Sequence, residues 1–169
     1  MIAFAMRSFL AGTAIVATIA AGADTQAQGL LTTHRVPAAL ANEAVGAAVE
    51  ACRSQGFFVS AVLVDASGAR QAVLRGDSAG IHTIDSAGDK AYTASSFKIP
   101  SGVARERLMS NPAASGLQFV PGVLLVQGGL PIKVGEEVIG AVGVAGAPGG
   151  DKDEACAQAG IDKIKDRLK

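Results

Sequence analysis

A polar segment, GDSAGIHTIDSAGDKAYTASSFKIPS from Gly76 to Ser101, gathers most of the side chains in this chain that could do chemistry. It holds His82, one of two histidines, the single tyrosine Tyr92, the lysines Lys90 and Lys98, and the carboxylates Asp77, Asp85 and Asp89. An imidazole can ligate iron or copper and changes charge near neutral pH. Thr83 and Tyr92 supply hydroxyls, while Arg75, Lys90 and Lys98 can hold a carboxylate. On residue chemistry alone, an exposed loop histidine is more often solvated than a ligand. His34, in the segment before the first expected helix, is the other possible imidazole ligand.

Other constellations are weak. The sequence has no G-x-S-x-G nucleophile elbow, no P-loop, and no G-x-G-x-x-G opening a helix. The spaced glycines of GAVGVAG (140–146) lie inside an expected strand, where packing explains them. No His, Cys, Asp or Glu cluster has zinc spacing. The pair Glu136-Glu137 falls at a hairpin turn and reads as solvated charge rather than a metal site. In PGGDKDE (148–154), Asp151 and Glu154 supply their own negative charge to a helix start, so capping explains the motif better than anion binding.

The elements that must position these residues follow from periodicity and breakers. Leu40, Ala44, Ala47, Ala48 and Ala51 recur at helical spacing, predicting an amphipathic helix over 38–55 that Gly56 ends. The run FFVSAVLV (57–64) is β-rich and apolar, as a covered strand should be, and ARQAVLR (69–75) returns after the turn at 65–68. Ser86–Phe97 and Ser101–Ser110 read as helices separated at Pro100. Strands are expected at 123–126, 130–133 and 137–145, and a last helix from Asp151. The order α-β-β-α-α-β-β-β-α predicts an α+β domain: a five-stranded antiparallel sheet with packed helices.

Length and composition set the rest. Arg7 followed by the uncharged stretch SFLAGTAIVATIAAGA (8–23) is shorter than the roughly 20 residues of a membrane span. With the small residues that follow, it reads as a secretory signal covering 1–27, which predicts export to the periplasm or beyond and no stable membrane span afterwards. An extended leader (28–36) and one domain (37–169) then remain. A formal net charge of zero gives no support for nucleic-acid binding. With 21 glycines, no tryptophan and 4% aromatics, each buried side chain contributes little area, so a partner subunit is expected to complete the core. Cys52 and Cys156 fit no redox or zinc motif, and in an oxidising compartment they either pair or serve as small buried hydrophobes.

Several strings, in order, carry a resemblance: VLVDASG (62–68), KAYTASSF (90–97) with Pro100-Ser101, PGVLLVQGGLPIKV (121–134), EEVIGAVGVAG (136–146) and DEACAQAGID (153–162). Together they make the chain resemble the GlcG/HbpS-type haem-binding family, which shares its fold with the PduO C-terminal domain. The D-x-A-G-x-H-T loop is similar to the exported HbpS-like branch, with Ile81 where related exported proteins often have proline. The resemblance implies a profilin/PAS-like sandwich, homo-oligomers, and haem as cofactor in some members. It places Asp77, His82 and Thr83 on the ligand loop and Lys90 and Tyr92 on the next helix. His82 is the expected iron ligand, Thr83 a weak one, and Arg75 or Lys90 a propionate anchor. The function expected is an exported haem-binding carrier, buffer or sensor partner. The alternatives are an enzyme of haem degradation or small-carboxylate metabolism, with Tyr92, Lys90 and Asp77 to move protons, and an oligomeric scaffold.

Overall fold

The computed structural model describes Gly29 and residues 31–168; the expected signal over 1–27 lies outside the described residues. Four strands form one antiparallel sheet: β1 (Ser60–Asp65), β2 (Arg70–Arg75), β3 (Gly129–Val134) and β4 (Glu137–Ala145), in the order β2-β1-β4-β3. Helices α1 (Ala38–Arg53) and α4 (Gly150–Ile164) cover one face, and α2 (Thr83–Phe97), followed by the shorter α3 (Ser101–Met109), covers the other. The α+β sandwich is as expected; the number of strands is not.

The missing fifth strand is the stretch 123–126. Its apolar residues fit a strand, but its backbone groups are taken by side chains of the neighbouring helices. Leu124 N–H donates to Thr93 Oγ1 (2.8 Å), the Val126 carbonyl accepts from Ser101 Oγ (2.7 Å), and Val126 N–H turns back to the Leu124 carbonyl (2.9 Å). A segment satisfied in this way has no ladder to offer. The expected break at Asn111-Pro112 opens a short 3-10 helix, Pro112–Phe119, capped by the Asn111 side chain.

The two faces of β1 separate cleanly, as a two-residue period requires. Ala61 and Leu63 pack with α1 and α4, while Val62 and Val64 meet Ala87, Ala91 and Ala94 of α2. Small residues set the layer spacing. A Cβ on Gly143 would overlap the Ala87 carbonyl oxygen, and one on its ladder partner Gly129 would overlap the Lys90 carbonyl oxygen, so α2 lies with its backbone against the sheet. On the other face, a Cβ on Gly160 would come within 2.6 Å of the Ala44 carbonyl oxygen, marking the close crossing of α1 and α4. There Cys52 and Cys156 form a disulfide with Cα atoms 5.6 Å apart, fully buried.

Helix starts differ from expectation in detail. α2 begins three residues early, at Thr83, because Thr83 N–H and Oγ1 both bond the Gly80 carbonyl. α4 has no side-chain cap. Asp151 stays exposed beside Lys152, and the neighbouring Asp153 instead accepts from Ala147 N–H (3.0 Å). Among the described residues, no helix is long and apolar enough to cross a membrane.

Candidate functional site

The loop joining β2 to α2 is a tightly closed turn. Ala79 N–H returns to the Gly76 carbonyl (3.1 Å), Ser78 takes a left-handed backbone (φ 63°), and Arg75 Nε donates to the Ala79 carbonyl (2.9 Å). Arg75 is thereby used to close the loop it precedes. Thr83 is buried, its hydroxyl shared between Ser60 Oγ and the Gly80 carbonyl (2.7 Å each). His82 stands exposed at the helix start with its ring over Gly80, where a Cβ would approach the ring carbon Cε1 to 2.8 Å. Neither ring nitrogen of His82 has a hydrogen-bond partner among the described residues. Asp77 is also exposed, on the rim of a shallow cleft of about 40 Å³ with Val49, Arg53 and Phe57.

The other expected site residues lie elsewhere. Tyr92 is ten residues along α2 from His82, about 15 Å at the helical rise. Its ring is held between the turns at Gly68 and Gly122, both with positive φ (84° and 82°). Lys90 points away from the loop into the interior. Its ammonium donates to Asp153 of α4 (2.7 Å) and to the Val144 carbonyl (3.0 Å), in a gap left by Gly128. Burial raises the Asp153 pKa, and the Lys90 hydrogen bond and charge oppose that rise. This pair links the helical layers on opposite sides of the sheet. Lys90 is buried there, out of reach of an outside carboxylate.

A second grouping forms at the other end of the strands. Successive leader residues are tied to successive strands: His34 to Glu137 at the start of β4, Arg35 to Asp65 at the end of β1, and the Val36 carbonyl to the Gln71 side chain of β2. Under this tie lies a cavity of about 400 Å³, walled by Pro37, Val134, Ile139 and Leu168, with His34, Arg35, Glu137 and Arg167 as its polar lining. Such a volume is in the range of small-molecule sites, which combine apolar walls with a few polar groups.

His34 Nδ1 lies 2.7 Å from Glu137 Oε2. A carboxylate there accepts the Nδ1 proton, which fixes the tautomer and leaves the Nε2 lone pair free. The same hydrogen bond holds the Glu137 pKa below the ordinary carboxylate value, so Glu137 stays ionised in its orienting role. Arg35 makes only a 3.6 Å ion contact with Asp65, leaving its N–H donors available, whereas Arg167 is engaged fork-to-fork with Glu43. Asp65 is a fixed anion: burial raises its pKa, but the Ser67 hydroxyl, the Ala69 and Ser67 N–H groups and Arg35 together bring it below the ordinary value. Among the described residues, no three His, Cys, Asp or Glu side chains come together to hold a bare metal ion.

The two histidines therefore mark opposite ends of the molecule. Thr83 bonds Ser60, which pairs with Ala145 at the end of β4, while His34 meets Glu137 at its beginning. Nine strand residues separate those ends by roughly 25–30 Å. One ligand cannot bridge both within a single chain. Sequence reasoning noted His34, read Glu137 as solvated charge at a hairpin turn and passed over Arg35 and Arg167, because no local pattern brings positions about a hundred residues apart to one cavity.

The comparisons with known proteins agree with this architecture. A family model described as haem degrading protein HbpS-like matches residues 36–162. A crystal structure of HbpS is similar at 38% identity with a TM-score of 0.75, covering 80% of this chain and 96% of that one. A double mutant of Streptomyces reticuli HbpS is similar at 39% identity with the same TM-score, covering 84% and 97%. The PduOC:haem complex shares the fold at 24% identity and a TM-score of 0.70, covering 78% and 96%. The curated proteins contain no match. With three quarters of its length inside one family model and 38% identity to HbpS over 80% of its length, the chain belongs to the HbpS-like family.

Proposed function

We propose that this chain is an exported haem-binding protein, with His34 as iron ligand and Arg35 as propionate anchor. The observation that carries the reading is the His34–Glu137 pair (2.7 Å) on the rim of the roughly 400 Å³ cavity. A histidine whose Nδ1–H is held by a carboxylate presents Nε2 as a basic, oriented ligand. The apolar walls suit a macrocycle, and a guanidinium with free donors suits a carboxylate. Bound haem would supply a redox-active iron; the chain would supply the ligand, the anchor and an apolar wall. The solved haem complex of PduOC and the family's haem-related name support the choice of ligand. Export is supported by the Cys52–Cys156 disulfide, since such bonds persist in oxidising compartments.

His82 and Thr83, with Asp77, Arg75, Lys90 and Tyr92, were the site expected from the resemblance. His82 keeps a place in the proposal as the alternative imidazole, because its ring is exposed and unpartnered; Thr83 and Lys90 are buried with their polar atoms bonded inside the fold, and Arg75 gives Nε and Nη2 to the Ala79 carbonyl.

Titration with hemin separates these readings. The wild-type protein is expected to give a shifted Soret band at micromolar hemin. His34→Ala should weaken binding at least tenfold, while His82→Ala should leave it within about twofold. The reverse order would move the site to the β2–α2 loop. No Soret shift in the wild type would remove haem binding altogether. Loss of the band with reductant in air would show turnover rather than carriage.

A further inference from the structure

The leader residues beside the cavity are held in two unlike ways. Val36 is built into the fold: it is 1% exposed, belongs to the core shared by the sheet, α1 and α4, and gives its carbonyl to Gln71 of β2. Pro37 then fixes the backbone at the start of α1. Ahead of that anchor the grip changes. Residues 32–35 are exposed, lie in no helix or strand, and make no backbone–backbone hydrogen bond with the fold. They are fastened at two carboxylates, His34 at Glu137 and Arg35 at Asp65, and the His34 and Arg35 side chains are each 65% exposed.

Pairs this exposed hold weakly, because water competes for both charges and salt screens them. Arg35 is the looser of the two. At 3.6 Å its contact with Asp65 Oδ2 is longer than a hydrogen bond, while Asp65 Oδ1 is already used by the Ser67 and Ala69 N–H groups. The guanidinium is therefore held by charge, and it can pass to another carboxylate without breaking the turn that Asp65 organises. His34, Arg35 and Pro37 form one side of the cavity of about 400 Å³, and Val134, Glu137 and Ile139 of the β3–β4 hairpin form another. A ligand lying between them touches leader and sheet at once, so it binds the closed arrangement better than the open one.

We propose that residues 32–36 are a strap, hinged at Val36 and latched at Asp65 and Glu137, that opens to admit a porphyrin and closes on it as Arg35 passes from Asp65 to a carboxylate of the ligand. The choice of porphyrin rests on the function proposed above; the strap and its latches do not.

Electron paramagnetic resonance of a nitroxide at Thr33→Cys tests this. Thr33 is exposed and both native cysteines are bonded to each other, so the label has one site. The ligand-free protein is expected to show a minor mobile component beside an immobilised one. Asp65→Asn, which keeps an oxygen for the turn, and Glu137→Ala, on the exposed rim, should each raise the mobile component about threefold or more, as should salt at about 1 M. Gallium protoporphyrin IX, which is diamagnetic, should lower it by a similar factor, and its dimethyl ester, having no carboxylate for Arg35, should lower it less. A label at Glu106→Cys on α3 should respond to none of these. A single spectrum in every form would overturn the strap, as would a mobile component that ignores both variants and salt. So would a porphyrin whose own absorbance shift reports binding while the component stays unchanged. Latches that respond in a protein that binds no porphyrin would sustain the strap and overturn the haem reading instead.

Discussion

Lys90 shows how residue type and residue role come apart. In sequence it is a cation on the helix after a ligand loop, a natural propionate anchor. In the fold it is almost fully buried, and Asp153 reaches it from the opposite layer at 2.7 Å. Replacing one partner leaves the other charge buried and unpaired, which typically costs about 3–5 kcal/mol, whereas replacing both with apolar residues of similar volume is often neutral. Lys90→Met is therefore expected to lower the denaturant midpoint sharply without a selective effect on hemin affinity. Lys90→Met combined with Asp153→Leu should recover most of the loss. A Lys90→Met protein with wild-type stability and weakened hemin binding would return Lys90 to the ligand site. The sequence could not reveal this role, because the partner lies 63 positions away and the pairing depends on the gap at Gly128.

At the scale of elements, periodicity located α1, β1, β2, β3 and β4 within a few residues, since each has one face or both faces committed to a core. It failed at 123–126, where composition is that of a strand but Thr93 and Ser101 hold the backbone. Glycine carries information that periodicity does not use. Gly143 and Gly129 lie opposite each other in the ladder, and both leave room for the α2 backbone. Gly143→Ala should cost at least about 3 kcal/mol in unfolding free energy, because backbone rather than a flexible side chain must yield. Gly46, in α1 with open space around its Cβ position, is the contrast: Gly46→Ala should raise stability by about 0.5–1 kcal/mol. Equal effects at the two positions in urea melts would contradict the close approach of α2.

For the whole molecule, the disulfide joins α1 to α4 across 104 positions and so closes most of the domain into one loop. Composition allowed pairing but could not establish proximity; the crossing at Gly160 provides it. Removing a native disulfide from a small domain costs about 2–5 kcal/mol. The thermal midpoint is therefore expected to fall clearly in the presence of a strong reductant, and by a similar amount in the double variant Cys52→Ala with Cys156→Ala. Unchanged melting on reduction would mean the bond adds nothing to a fold already held by packing. The site was legible only in part. Both histidines stood out by rarity, but the tie from His34 to Glu137 exists only once the leader has crossed the ends of three strands.

That crossing has a practical consequence for anyone handling the protein. Residues 34 to 36 are fastened one after another to β4, β1 and β2, and their side chains form the mouth of the cavity. Whatever is fused just ahead of Thr32 emerges beside that mouth. A polyhistidine tag placed there would bring a run of competing imidazoles to the rim and could produce a Soret band of its own. Hemin titrations should accordingly be run with the tag at the C-terminal end or removed, with the His34→Ala variant prepared in the same form.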